Sequence, residues 1–192
     1  SKLSGCYQSA TIAAEGLPVT LVDSLNVCIG QRILVELAVR LRDQGRSARE
    51  IGAVLEEERK HIRLVALLDT LEYLTKGGRI SPAVALAGAL LSIKPVISVE
   101  NGEIAILGKA RGSKNGSNML MTLVEKSGGI NFDKPYCLAY SGLSDALLQK
   151  YIADSERLYS GKTEHLPVCS IGSTIGTHAG PGAIAAAFFI NE

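Results

Sequence analysis

The rhythm of apolar and polar positions changes about a third of the way along this chain. "CYQSATIAAE" has helical spacing and stops at Gly16 and Pro18. "VTLVD" (19–23) reads as a short apolar strand, with Asp23-Ser24 as an Asp turn at its end. "CIGQRILVELAVRLRDQG" (28–45) returns to helical spacing and carries Gly45 as a stop signal. Ser47 with Glu50 is a capping-box signature for the helix bearing "IGAVLEEERKH". The next block opens with "IRLVALL" (62–68), a strand. A helix from Thr70 follows, with Lys76 suited to its negative end and Gly77 to a left-handed cap. Ser81 before Pro82 reads as the cap and first turn of an apolar helix, "PAVALAGALLS". "KPVISV" and "EIAILGKA" flank Asn101-Gly102, a strong signal for a tight hairpin. A helix ("SKNGSNMLMTLVEKSGG"), a strand ("PYCLAYSG"), a helix ("SDALLQKYIADSERLYSG") and two strands ("LPVCSIG", "GAIAAAFFI") complete the pattern.

This order predicts a mixed fold, α/β and α+β. Residues 1–61 read as the C-terminal part of a first α/β domain whose first strands are missing. Residues 62–192 read as a second, α+β domain with a mainly antiparallel sheet flanked by helices. The opening "SKLSGCYQSA" resembles the middle of a strand-turn-helix connection, so the chain is expected to be a fragment of a longer protein.

Composition narrows the function classes. The chain has 192 residues, 46% hydrophobic and 20% charged, enough to bury a core. A formal net charge of +1 gives no global electrostatic case for nucleic acid or a membrane surface. No run reaches the roughly 18 apolar residues of a spanning helix. Cys6, Cys28, Cys137 and Cys169 form no C-x-x-C pair, which points to reduced, mostly buried thiols rather than a metal site.

Three places combine polar groups with unusual backbone. Ser4-Gly5 precedes a helix, so Ser4 either caps it or helps its free N–H groups hold an anion. The Lys76-Gly77-Gly78-Arg79 corner needs its cations for no local reason at Arg79, which faces an anion, a carboxylate side chain or solvent. In "GTHAGPGA" (176–183), His178 either satisfies a loop carbonyl or meets a ligand as donor, acid or base. Lys109, Arg111 and Lys114 form a smaller cluster, a solvated face or a docking patch for an acidic or phosphate-bearing partner. Without aromatic neighbours it offers no base-stacking surface. No G-x-S-x-G, Walker A or H-E-x-x-H motif is present, which favours binding over independent turnover.

Taken together, "KLSGCYQSA", "VDS", "DTLEYLTKGGRIS", "IKPVISVENGEI", "KARGSKN", "KPYCLAYSG" and "THAGPGA" resemble the DegV family of bacterial fatty-acid-binding proteins, in the family's order over nearly the whole chain. The resemblance implies a two-domain fold with a long-chain fatty acid buried between the domains, no cofactor and no metal. It carries Ser4 and Gly5 from the "LSG" turn, Arg79 from "GGRI" and His178 from "HAGPG" into the carboxylate region. It further implies a cytoplasmic, lipid-carrying subunit that presents the carboxylate to a separate fatty-acid kinase for acyl-phosphate formation, with Lys109, Arg111 and Lys114 as docking residues. The rival reading is a stand-alone phosphoryl-transfer enzyme resembling dihydroxyacetone kinases, with His178 as its reactive residue. The chain departs from the family twice. Cys6 stands where the family has Thr, and N-terminal strands of roughly 80–90 residues, bearing another carboxylate ligand, are absent. The small residues of "GAIAAAFF" and "VALAGALL" suit either an acyl chain or close sheet-helix packing.

Overall fold

The computed structural model of the chain describes residues 2–83, 93–159 and 163–191. Three helices come first: α1 (Cys6–Ala13), α2 (Cys28–Asp43) and α3 (Ala48–Glu58). After one 3-10 turn the chain enters β1 (Ile62–Leu67), α4 (Glu72–Lys76), the hairpin β2 (Ile93–Glu100) and β3 (Glu103–Arg111), and α5 (Gly112–Lys126). The last part runs β4 (Cys137–Tyr140), α6 (Ala146–Asp154), β5 (Val168–Ser170), α7 (Ser173–Ala179) and β6 (Ile184–Phe189). The six strands form one sheet in the order β3-β2-β1-β6-β4-β5. Every pairing is antiparallel except β4 with β5. The fold is thus mixed α and β with a mainly antiparallel sheet flanked by helices, as the pattern predicts.

Both faces of this sheet are buried, which explains why its central strands are mostly apolar rather than alternating. On one face lie Leu64, Ala66, Ile97, Ala139, Ala185 and Phe189, covered by Ile29, Ile33 and Leu34 of α2 and Leu55 of α3. On the other lie Val65, Leu67, Val96, Leu138, Ala186 and Phe188, covered by α5 through Leu120 and Val124 and by α6 through Leu148, Tyr151 and Ile152. Local signals are realised where local bonds suffice. Ser47 and Glu50 close a full capping box on α3. Asn101 (φ 51) and Gly102 (φ 77) turn the β2–β3 hairpin with the two positive φ angles a type I′ turn needs.

The β2–β3 register contains a bulge with a directional effect. Val96 pairs with Gly108 but Ile97 pairs with Ile106, so Leu107 is the extra residue. Before the bulge, Ile104 and Ile106 share the face of Ile97 and Val99. Beyond it, Lys109 and Arg111 pair with Pro95 and Ile93 and join that same face. Gly108 turns the other way, close under Met119 of α5. A bulge that re-aims side chains in this manner is common beside functional sites.

Four expectations are corrected or fall outside the structure. Residues 19–23 form no strand pairing; Thr20 and Val22 instead rest on α3 at Gly52. Without a neighbouring strand, their backbone groups have no ladder to join. The left-handed residue after α4 is Gly78 (φ 70), while Gly77 (φ −77) stays right-handed. The first half of "GTHAGPGA", where a loop is one reading for His178, is the end of helix α7. The apolar helix predicted after Pro82 lies outside the described residues beyond Ala83.

Candidate functional site

The N-terminal turn begins the site. Ser4 Oγ accepts from the Cys6 N–H at 3.2 Å, so the serine does act on the start of α1, one residue ahead of the formal cap, Gly5. Because its oxygen is the acceptor, the hydroxyl proton remains to be given. A side chain at Gly5 would meet nothing within 4 Å, so the turn is open on that side.

Arg79 ties this turn to the end of α4. Its Nε donates to Leu3 O at 3.2 Å and its Nη1 to Gly77 O at 2.6 Å. A guanidinium has five N–H donors, so these two bonds fix its plane and leave donor capacity beyond them. Arg79 is exposed while its neighbour Ile80 is buried, which places the cation at the rim of an apolar wall.

His178 sits in the last turn of α7. Its Nδ1 is buried without a hydrogen-bond partner, pressed against Gly77, where a Cβ would come within 2.0 Å of it. That geometry leaves Nε2 as the nitrogen able to serve a ligand. The loop after α7 is pinned from β4 by the buried Ser141. Its hydroxyl donates to Gly180 O and accepts from Ala183 N at 3.0 Å, and its carbonyl accepts from Gly182 N at 3.0 Å. Gly180 in turn lies under the Tyr73 ring, 2.3 Å from where its Cβ would be. The glycines around His178 therefore let α4 and α7 interlock.

Behind these groups lies a cavity of about 160 Å³. Ser4, Arg79 and His178 all line it, and its remaining wall is mostly aliphatic: Leu64, Ala66, Leu68, Leu74, Ile97 and Val99 are among its residues. Ser4 and Arg79 also border a polar recess of about 570 Å³ with Lys2, Gln8, Gly78 and Glu103. On the other side, Leu3, Ser4, Val27, Cys28, Thr174 and Ile175 lead from the cavity into an open groove of about 750 Å³. Ser4 and Arg79 thus stand where an apolar chamber meets a polar one.

The structure brings together Ser4, Arg79 and His178, with Gly5 in the adjoining recess. It does not bring Lys109, Arg111 or Lys114 to the cavity. They are exposed, and Lys109 and Arg111 sit roughly 15–20 Å along β3 from the cavity residue Ile104. Sequence reasoning missed Ser141, the wall of α7 and Val27-Cys28. A signal for α7 was present: Ile171, Ile175 and Ala179 recur at helical spacing. Among the described residues, no group of His, Cys, Asp and Glu is placed to hold a metal ion, and no helix is long and apolar enough to cross a membrane.

Comparison with known proteins extends this picture. The family described as "Uncharacterised protein, DegV family" matches residues 1–191. A DegV domain-containing protein of Clostridium acetobutylicum is 34% identical, covering 100% of this chain and 67% of its own length. The structure titled "Fatty Acid Binding of a DegV family Protein", from Thermus thermophilus, superposes with a TM-score of 0.82 at 31% identity, covering 98% of this chain and 68% of that one. The Streptococcus pneumoniae fatty acid kinase B3 protein, loaded with linoleic acid, shares the fold with a TM-score of 0.86 at 23% identity, covering 99% of this chain and 69% of its own. The chain spans about two thirds of the length of these relatives. Matched by the family over nearly its whole length, and by relatives in sequence and fold, it belongs to the DegV family.

Proposed function

We propose that this chain is the larger part of a carrier that binds a long-chain fatty acid and presents its carboxylate to a separate kinase subunit for acyl-phosphate formation. The observation that carries this reading is the aliphatic cavity with Ser4, Arg79 and His178 at its boundary. An acyl chain gains about 0.8 kcal/mol for each methylene it buries, before ordering costs. Its carboxylate must keep hydrogen-bond partners once it leaves water. The Ser4 hydroxyl is the direct donor, and Arg79 and His178 order the surrounding network. The solved fatty-acid-binding DegV relative from Thermus thermophilus supports the ligand class.

The cavity volume of about 160 Å³ falls below the roughly 300–1,000 Å³ of ordinary ligand pockets, so an acyl chain continues into the adjoining groove. That groove exposes Val35 at 55%, an apolar surface that the unspanned third of the relatives' length would cover in the whole carrier. In this reading residues 1–61 close a first domain and residues 62–192 form the second, with the ligand between them. The kinase docks on the side to which the β3 bulge turns Lys109 and Arg111, with Lys114 at the start of α5. The carrier acts in the cytoplasm without a cofactor of its own.

Mass spectrometry of organic extracts from the whole carrier tests the reading. A long-chain fatty acid should be recovered in near one-to-one amount, and the carrier alone should turn nothing over. Recovery of a different ligand class, or phosphoryl transfer without a partner, would overturn it.

A further inference from the structure

Three of the four cysteines converge from distant points of the sequence. Cys28 opens α2, Cys137 opens β4 and Cys169 lies in β5. We infer that Cys137 and Cys169 form an oxidative modification site, a thiol pair that peroxide converts to a disulfide. This inference stands apart from the fatty-acid reading.

The two cysteines occupy neighbouring parallel strands. Ala139 is the register partner of Cys169, so Cys137 lies one same-face step away. The Cys137 and Cys169 sulfurs lie 3.9 Å apart, with the Cys137 thiol also within reach of Leu138 O at 3.3 Å. A disulfide needs about 2.05 Å, so the sulfurs must approach by roughly 2 Å, and because the two-residue offset sets the Cα atoms about 8 Å apart, β5 at the sheet edge must shift with them. Arg32, near the start of α2, interacts with both sulfurs, while its Nε is anchored on Glu36 at 2.7 Å.

Burial separates the roles. Cys169 is half-buried, whereas Cys137 is 1% exposed and its pKa is pushed up to about 12, chiefly by burial. Cys169 therefore attacks first. Its thiolate takes one peroxide oxygen, the O–O bond breaks and water leaves after protonation, giving a sulfenic acid. The Cys137 sulfur then attacks that sulfur, the S–O bond breaks, and a second water leaves with the Cys137 proton. Two thiols are oxidised by two electrons and one peroxide is reduced to two waters.

The test uses the chain carrying Cys6→Ser, because the exposed Cys6 can cross-link molecules. After stoichiometric hydrogen peroxide, free thiols are alkylated under denaturing conditions and peptides are mapped without reduction. A Cys137–Cys169 link should dominate. Cys137→Ser should leave Cys169 as a sulfenic acid captured by dimedone. Recovery of both cysteines as alkylated thiols, or a dominant link through Cys28, would overturn the proposal, and the mapping of the Cys6→Ser chain decides even if the other variant fails to fold.

Discussion

The imidazole of His178 fills the space that a side chain at Gly77 would need. A Cβ there would lie 2.0 Å from Nδ1, and Gly77 has an ordinary φ of −77, so the constraint is contact rather than backbone strain. Gly77→Ala should therefore displace the ring and destabilise the chain by about 1–3 kcal/mol. Gly78→Ala offers the contrast. It has open space but a φ of +70, and should cost about 1–2 kcal/mol through the backbone alone. Urea unfolding gives the two costs. The His178 ring resonance in NMR should move in the first variant and stay in the second; an unmoved resonance in Gly77→Ala would remove the interlock.

Ser141→Ala should strip the Ala183 N–H and the Gly180 carbonyl of their buried partner. Leaving such groups unpaired costs about 1–3 kcal/mol. Amide hydrogen exchange should show faster exchange at Ala183, where Ser141→Thr keeps protection. Equal loss in both variants would mean that the site rejects any change of shape and that the hydroxyl is not the cause.

Ser4, Arg79 and His178 should separate by function in the whole carrier. A hydrogen bond to a charged group is worth about 1.5–3 kcal/mol, so Ser4→Ala should weaken fatty-acid binding roughly ten- to a hundredfold. Arg79→Ala and His178→Ala should reduce kinase-dependent phosphorylation more than binding. Binding is read by displacement of a fluorescent fatty acid and transfer by acyl-phosphate formation. Undiminished binding in Ser4→Ala would exclude it as the carboxylate donor.

Arg111→Glu, introduced into the whole carrier, should abolish phosphorylation by the kinase while bound lipid stays unchanged. Arg111 is exposed and lines no part of the cavity, so lipid loss is not expected. Normal phosphorylation of this variant would remove β3 from the docking surface.

Stability should fall at alkaline pH. Tyr151 and Tyr159 meet with their hydroxyls 3.3 Å apart beneath α6, and burial raises the pKa of each above its ordinary value of 10.0. Burial raises Cys137 in the same sense, from 9.0 to about 12. Between the unfolded and folded pKa values the native state holds more protons than the unfolded one, so stability decreases as pH rises. The contribution is intact below about pH 9 and declines above it, first through Cys137 and then through the tyrosines. Urea midpoints measured from pH 8 to 11 should show this decline, and Tyr159→Phe should flatten its upper part. A flat profile would mean that these groups ionise without unfolding.

Much of the fold was legible along the chain because it rests on local bonds and on period. The capping box of Ser47 and Glu50 closes within four residues, and Asn101-Gly102 turns its hairpin with its own φ angles. The apolar runs of β1 and β6 announced strands. The motif order also pointed to the family and singled out Ser4, Arg79 and His178. Other features depend on groups far away in sequence. Residues 19–23 have strand-like composition, but a strand exists only where a neighbour supplies the ladder. Leu107 becomes a bulge only against Val96 and Ile97, and that offset decides which way Lys109 and Arg111 point. Ser141 looks like any serine until the loop at Gly180–Ala183 folds over its hydroxyl. Spacing nominated His178 as a chemical group, but contact with Gly77 decided that one nitrogen is packed away and the other is left for a ligand. Hydrophobic period and capping are properties of neighbouring residues, whereas register, close approach and convergence arise only when distant segments exclude water from the same space.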